Sequence, residues 1–184
     1  MTDTSPRTLI AGLGNIFLGD DGFGVEVARR LLKAPPPGNV RIVDIGIKSL
    51  KLIEALLDGY DLVIILDAVT RGGRPGTLYV IEPETCSDKM TCDFMPMVDP
   101  HELSPTLALR AAAKMGGRLG RVLLVGCEPL AMGDNFDGAG GLSDPVSDAV
   151  ERAAEVTRQL VAGNAGGVAQ ASCPHACTQK GGQS

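Results

Sequence analysis

Three aspartates and one histidine carry most of the chemistry this sequence can offer. Asp20 and Asp21 are adjacent within the glycine-rich residues 12–24, Gly-Leu-Gly-Asn-Ile-Phe-Leu-Gly-Asp-Asp-Gly-Phe-Gly. Asp67 follows the most apolar run of the chain, Leu62-Val63-Ile64-Ile65-Leu66. His101 is one of only two histidines, the other being His175 near the C-terminus. One aspartate at the start of a helix is explained as a cap, because it offers an acceptor to unpaired N–H groups; that does not explain two. The pair would repel a pyrophosphate, and Phe17 stands where a dinucleotide fingerprint needs its third glycine. The stretch therefore reads as a site for something positive, a metal ion first. Carboxylates and an imidazole are hard-to-borderline ligands that leave coordination positions open for something else.

Each of these residues also has a plain structural explanation. An aspartate at a strand end is ordinarily a turn or cap residue, and a histidine in a loop is ordinarily polar surface. The case for a site rests on Asp21, Asp67 and His101 taken together. Other chemistries lack their residues: the chain has no G-x-S-x-G elbow and no H-E-x-x-H zinc pair. Cys127, at the end of an expected strand, is a candidate nucleophile by position only and reads as a small packing hydrophobe.

The elements that must position these groups follow from periodicity. Strands are expected over residues 8–12, 40–45, 62–66, 77–81 and 121–126. Helices are expected over 21–33, 50–57, from Ser104-Pro105 to about Met115, and from Asp144-Pro145 onward, with Val146, Ala149, Val150, Ala153 and Leu160 on one face. The alternation predicts an α/β three-layer sandwich: a mainly parallel, twisted five-stranded sheet with helices on both faces. The turn at residues 71–76 is too short for a crossover helix, so the fourth strand should be an antiparallel edge. Strands two and three should flank strand one, giving the order 2-1-3. Ligands bind outside the carboxyl ends of strands at such a switch point, which is where the acids after strands one and three would meet.

Length and composition frame the rest. The chain has 184 residues, 44% hydrophobic and 21% charged, with a formal net charge of −5, which suits one domain with a real core. That domain is expected over 1–162, with a disordered tail over 163–184, where composition falls to small and polar residues. The tail's Cys173, His175 and Cys177 could bind a metal but make a weak site there. The acidic balance argues against a nucleic-acid partner, and no apolar run is long enough to span a membrane. The short polar N-terminus lacks a signal core, and five cysteines form no disulfide framework; both point to the cytoplasm.

At this point the motifs converge on a family. Gly12-x-Gly14-Asn15-x4-Asp20-Asp21-Gly22-x-Gly24, Asp67-Ala68-Val69, Pro75-Gly76-Thr77, Pro100-His101-Glu102-Leu103, Gly126-x-Glu128-Pro129 and Gly141-Leu142-Ser143 occur in order over residues 8–162. Together they resemble the nickel–iron hydrogenase maturation endopeptidases. The resemblance implies a protease that removes a C-terminal extension from the hydrogenase large-subunit precursor once nickel has been inserted. It implies that Asp21, Asp67 and His101 contact nickel and carry the catalysis. Three such ligands suit a metal that arrives in the substrate, with no organic cofactor and a monomeric protease. Residues 46–49, Gly-Ile-Lys-Ser, depart from the family's usual pattern after strand two, which leaves substrate contacts there open. Two other readings stand beside it. Peptidyl-tRNA hydrolase also opens with Gly-Leu-Gly-Asn after its first strand, and a nickel-binding maturation chaperone would use the same three ligands without cutting.

Overall fold

The computed structural model describes residues 6–47, 49–83, 105–132 and 141–165. A five-stranded sheet runs through the centre: β1 (Thr8–Leu13), β2 (Val40–Gly46), β3 (Tyr60–Ala68), β4 (Leu78–Ile81) and β5 (Leu119–Cys127). The strand order is β2-β1-β3-β5-β4. The pairs β1–β2, β1–β3 and β3–β5 are parallel, while β4 runs antiparallel along β5. The expected order 2-1-3 and the antiparallel edge are both present. The edge strand lies beyond β5, because the turn after β3 passes over the end of β5 before the chain runs back down.

Side chains alternate across β1 and β3, as strand geometry requires, and each face meets two helices. Ile10, Ile64, Leu66, Leu123 and Val125 pack with α1 (Phe23–Leu31) and α4 (Asp144–Ala165). Leu9, Ala11, Val63, Ile65 and Val122 pack with α2 (Ser49–Leu57) and α3 (Pro105–Lys114). Residues 62–66 of β3 are all essentially buried, the signature of a central parallel strand covered on both sides.

Several boundaries differ from the sequence expectation, three of them with consequences. The first helix does not begin at Asp21; Asp20–Gly22 form a single 3-10 turn, and α1 starts at Phe23 and ends at Leu31. Neither aspartate caps the turn or the helix, since neither terminus carries a side-chain cap hydrogen bond. The strand β3 runs on through Ala68, so Asp67 lies inside the strand end and pairs in register with Gly126 of β5. The helix α4 continues to Ala165, past residue 162. Residues 163–165 of the expected tail are thus helical, and the rest of it, with Cys173, His175 and Cys177, lies outside the described residues, as does Ser104, the expected cap of α3.

Two glycines set the approach of α1 to the sheet. A Cβ on Gly24 would sit 2.0 Å from the Leu66 carbonyl oxygen and 2.5 Å from that of Leu13, so only glycine lets the first turn of α1 rest on the ends of β1 and β3. Gly14 has φ +116°, and a Cβ there would lie 1.7 Å from the Asp21 carbonyl oxygen. The Asp20–Gly22 turn thus folds back onto the end of β1.

Candidate active site

That fold-back decides where the two adjacent acids point. Asp21 Oδ2 accepts the Asn15 backbone N–H at 2.7 Å, and Asn15 Oδ1 accepts the Phe17 N–H at 3.0 Å. The loop after β1 is therefore tied to the Asp21 carboxylate, which is half-buried at the carboxyl end of the sheet. Asp67 is also half-buried there, one strand over, its Oδ1 accepting the Ala68 N–H at 2.9 Å. Burial pushes the Asp67 carboxyl up, the charge of Asp21 pushes it further, and the Ala68 N–H opposes both; the result is about 7. A carboxyl poised there can hold or release a proton at neutral pH, as acid–base catalysis requires. The structure thus places Asp21 and Asp67 at the same end of the sheet, near enough for the charge of one to act on the other. His101 lies outside the described residues, which include no group of three or more His, Cys, Asp or Glu side chains able to hold a metal ion. Asp21 and Asp67 are neighbouring carboxylates, so a cation held by both would need its remaining ligands from elsewhere.

Asp20 has a different job from its neighbour. It is 1% exposed. Its Oδ2 accepts the N–H groups of Leu130 at 2.7 Å and Ala131 at 3.1 Å and the Ser143 hydroxyl at 2.9 Å, while Oδ1 accepts the Ser143 N–H at 2.7 Å. The Asp20 N–H donates to the Ala131 carbonyl at 3.2 Å, and Gly19 forms a bridge with Met132. A buried carboxylate with four donors is fully satisfied, and here it pins the chain after β5 and the start of α4 to the turn that carries Asp21. Sequence reasoning missed this role.

Glu128 is a second structural carboxylate without a role in the sequence reading. It is 3% exposed and accepts the N–H groups of Arg71 and Gly72 and, at 2.8 Å, the Tyr79 hydroxyl. Burial alone would raise its pKa; the Tyr79 hydroxyl and the backbone N–H donors outweigh that and hold it below the usual carboxylate range. Cys127 is fully buried in the core, and burial pushes its thiol up to about 11. It packs as a small hydrophobe and carries no nucleophilic thiolate.

A cavity of about 510 Å³ lies behind the Asp20–Gly22 turn, between α1 and α4. In its charged lining Arg29 pairs with Glu26 and Arg30 with Glu151, and Lys33 adds a further cation.

Comparison with known proteins places this α/β sandwich in a family. The family model for hydrogenase maturation protease matches residues 25–159, and the chain belongs to that family. It is 33% identical over 158 residues to the hydrogenase expression/formation protein HupD of Rhizobium leguminosarum bv. viciae, covering 85% of this chain and 75% of that protein. Among solved structures it is similar to the hydrogenase maturating endopeptidase HybD from E. coli, with TM-score 0.67 and 28% identity over 88% of this chain and 94% of that one. It is also similar to the nickel–iron hydrogenase maturation protease HycI from Thermococcus kodakarensis KOD1, with TM-score 0.66 and 25% identity over 87% and 95%. These similarities do not favour the peptidyl-tRNA hydrolase or chaperone readings. No helix among the described residues is long and apolar enough to cross a membrane.

Proposed function

We propose that this protein is an endopeptidase that removes the C-terminal extension of a nickel–iron hydrogenase large-subunit precursor, and that it cuts after nickel has entered the precursor. The observation that carries the reading is the Asp21–Asp67 pair at the switch point of a chain in the hydrogenase maturation protease family.

In this reading nickel belongs to the substrate. Asp21 and Asp67 meet the metal from the ends of adjacent parallel strands, and His101 is the third contact. A cation entering beside Asp67 favours its charged form, so docking below about pH 7 releases the proton that burial and Asp21 hold there. Two carboxylates and one imidazole are a weak set for tight transition-metal retention, which ordinarily adds thiolates or further imidazoles. They suit the inspection of a metal that the partner already holds. Docking on that metal fixes the scissile bond against the acids and supplies much of the orientation advantage. The protease acts as a monomer in the cytoplasm, with no nucleic-acid or membrane partner.

The test is purified protein mixed with nickel-loaded or metal-free precursor, with the product weighed by mass spectrometry. Nickel-loaded precursor should lose its extension and metal-free precursor should stay whole. Asp21→Asn and His101→Ala should abolish cutting in proteins that still unfold cooperatively. Efficient cutting of metal-free precursor, or tight nickel retention by the free protein in equilibrium dialysis, would refute the proposal that nickel comes with the substrate.

A further inference from the structure

Nine large apolar side chains are exposed among the described residues, and five of them stand at one edge of the sheet. Phe17 (79% exposed) and Leu18 lie in the loop after β1; Ile47 follows β2; Leu50 is in the first turn of α2; Leu130 follows β5. These positions lie at the carboxyl ends of β1, β2 and β5, and β1 and β5 flank the strand that carries Asp67. The loops are tied to one another: the Gly14 N–H donates to the Gly46 carbonyl at 3.2 Å beside Ile47, and the Leu130 N–H donates to Asp20 at 2.7 Å. The other four, Leu32, Leu57, Val80 and Met115, are scattered over helix ends and the edge strand. Scattered apolar residues are ordinary, whereas a gathered set marks a contact surface.

We infer that this rim is a docking surface for an apolar segment of the precursor polypeptide. The inference rests on the processing reading above. Two features identify the occupant. The rim residues stand in the loops at the same end of the sheet as Asp21 and Asp67, so a segment that covers them lies beside the acids. The centre offers carboxylates and the surround offers Phe, Leu and Ile, so the complementary face carries a cation at its centre and apolar side chains around it. Apolar anchors with satisfied polar groups between them are how protein interfaces concentrate their binding energy.

The experiment uses the full chain with Phe17→Glu, Ile47→Glu and Leu130→Glu on the rim. Leu32→Glu and Met115→Glu serve as controls on apolar residues exposed elsewhere. All five sites are exposed, so equal melting temperatures confirm that each variant folds. Binding to nickel-loaded precursor is measured by biolayer interferometry, and cutting is measured separately by mass spectrometry. Each rim variant should weaken binding about tenfold, the effect of losing one apolar anchor, and raise KM with little change in kcat; the controls should match the parent. Rim variants that bind like the parent, while Asp21→Asn still fails to cut, would overturn the docking surface and leave the processing reading standing. A parent protein that binds precursor through the rim but never cuts it would support the surface and remove the processing reading. A parent that does not bind precursor overturns the surface outright.

Discussion

Replacing Asp67 by Asn should make the metal-free protein more stable and inactive at once. The asparagine keeps the shape and can still accept the Ala68 N–H but removes the charge that burial and Asp21 oppose. The difference between about 7 and the ordinary 3.8, at about 1.4 kcal/mol per pH unit, sets an upper bound of about 4 kcal/mol. The sign follows from proton linkage. Between about pH 4 and pH 7 the native protein holds a proton that the unfolded chain has released, so the parent loses stability as pH rises through that window. Asp67→Asn lacks this loss. Its advantage should be near zero at pH 4, grow to pH 7 and stay level above it. In a domain of this size each kcal/mol moves the melting temperature by roughly 2–4 °C. Thermal unfolding of both proteins at several pH values from 4 to 8.5 reads the effect directly. Equal melting temperatures at pH 8.5 would show that neither burial nor Asp21 opposes the charge of Asp67 in the native protein, and the argument for a poised carboxyl would fall.

Further expectations follow from the other buried groups. Asp20→Ala should cost about 2–4 kcal/mol in urea unfolding, because the N–H groups of Leu130, Ala131 and Ser143 lose their acceptor; Ser143→Ala, which removes only the hydroxyl bond, should cost about 1 kcal/mol. Gly24→Ala should prevent stable folding, seen as loss of the cooperative melting transition, since the Leu66 carbonyl lies 2.0 Å from the new Cβ. Cys127 should resist a thiol reagent at pH 8 until denaturant is added, and Cys127→Ala should still process precursor, because the buried thiol titrates near 11.

The meeting of Asp21 and Asp67 was legible in the sequence because it depends on topology alone. Once the apolar run at 62–66 is a central parallel strand and the order is 2-1-3, the loop after β1 and the end of β3 share one crevice. The different work of Asp20 and Asp21 was not legible. The partners of Asp20 lie 110 to 123 residues away, and no local pattern announces a carboxylate that satisfies two distant loops. Glu128 was hidden for the same reason, since its partners around Arg71 belong to a turn more than fifty residues earlier. The late start of α1 escaped because the helical period begins smoothly near Asp21, while the break arises from a 3-10 turn at the acids themselves. His101 was singled out by scarcity, and its place lies outside the described residues.

The position of β4 has a consequence for how the protein is made. In the sheet order β4 has one neighbour, β5, and β5 is synthesised about forty residues later. Both members of the acid pair have been synthesised by residue 67, yet the strand that follows them has nothing to pair with until β5, ending at Cys127, has been made. Glu128, one residue further on, then takes hold of the Arg71–Gly72 turn. Long-range pairings of this kind form late, because the intervening loop must close first. The crevice beside Asp67 gains its wall in the same event that finishes the sheet, so the nascent chain carries its acids for some time before it carries a site.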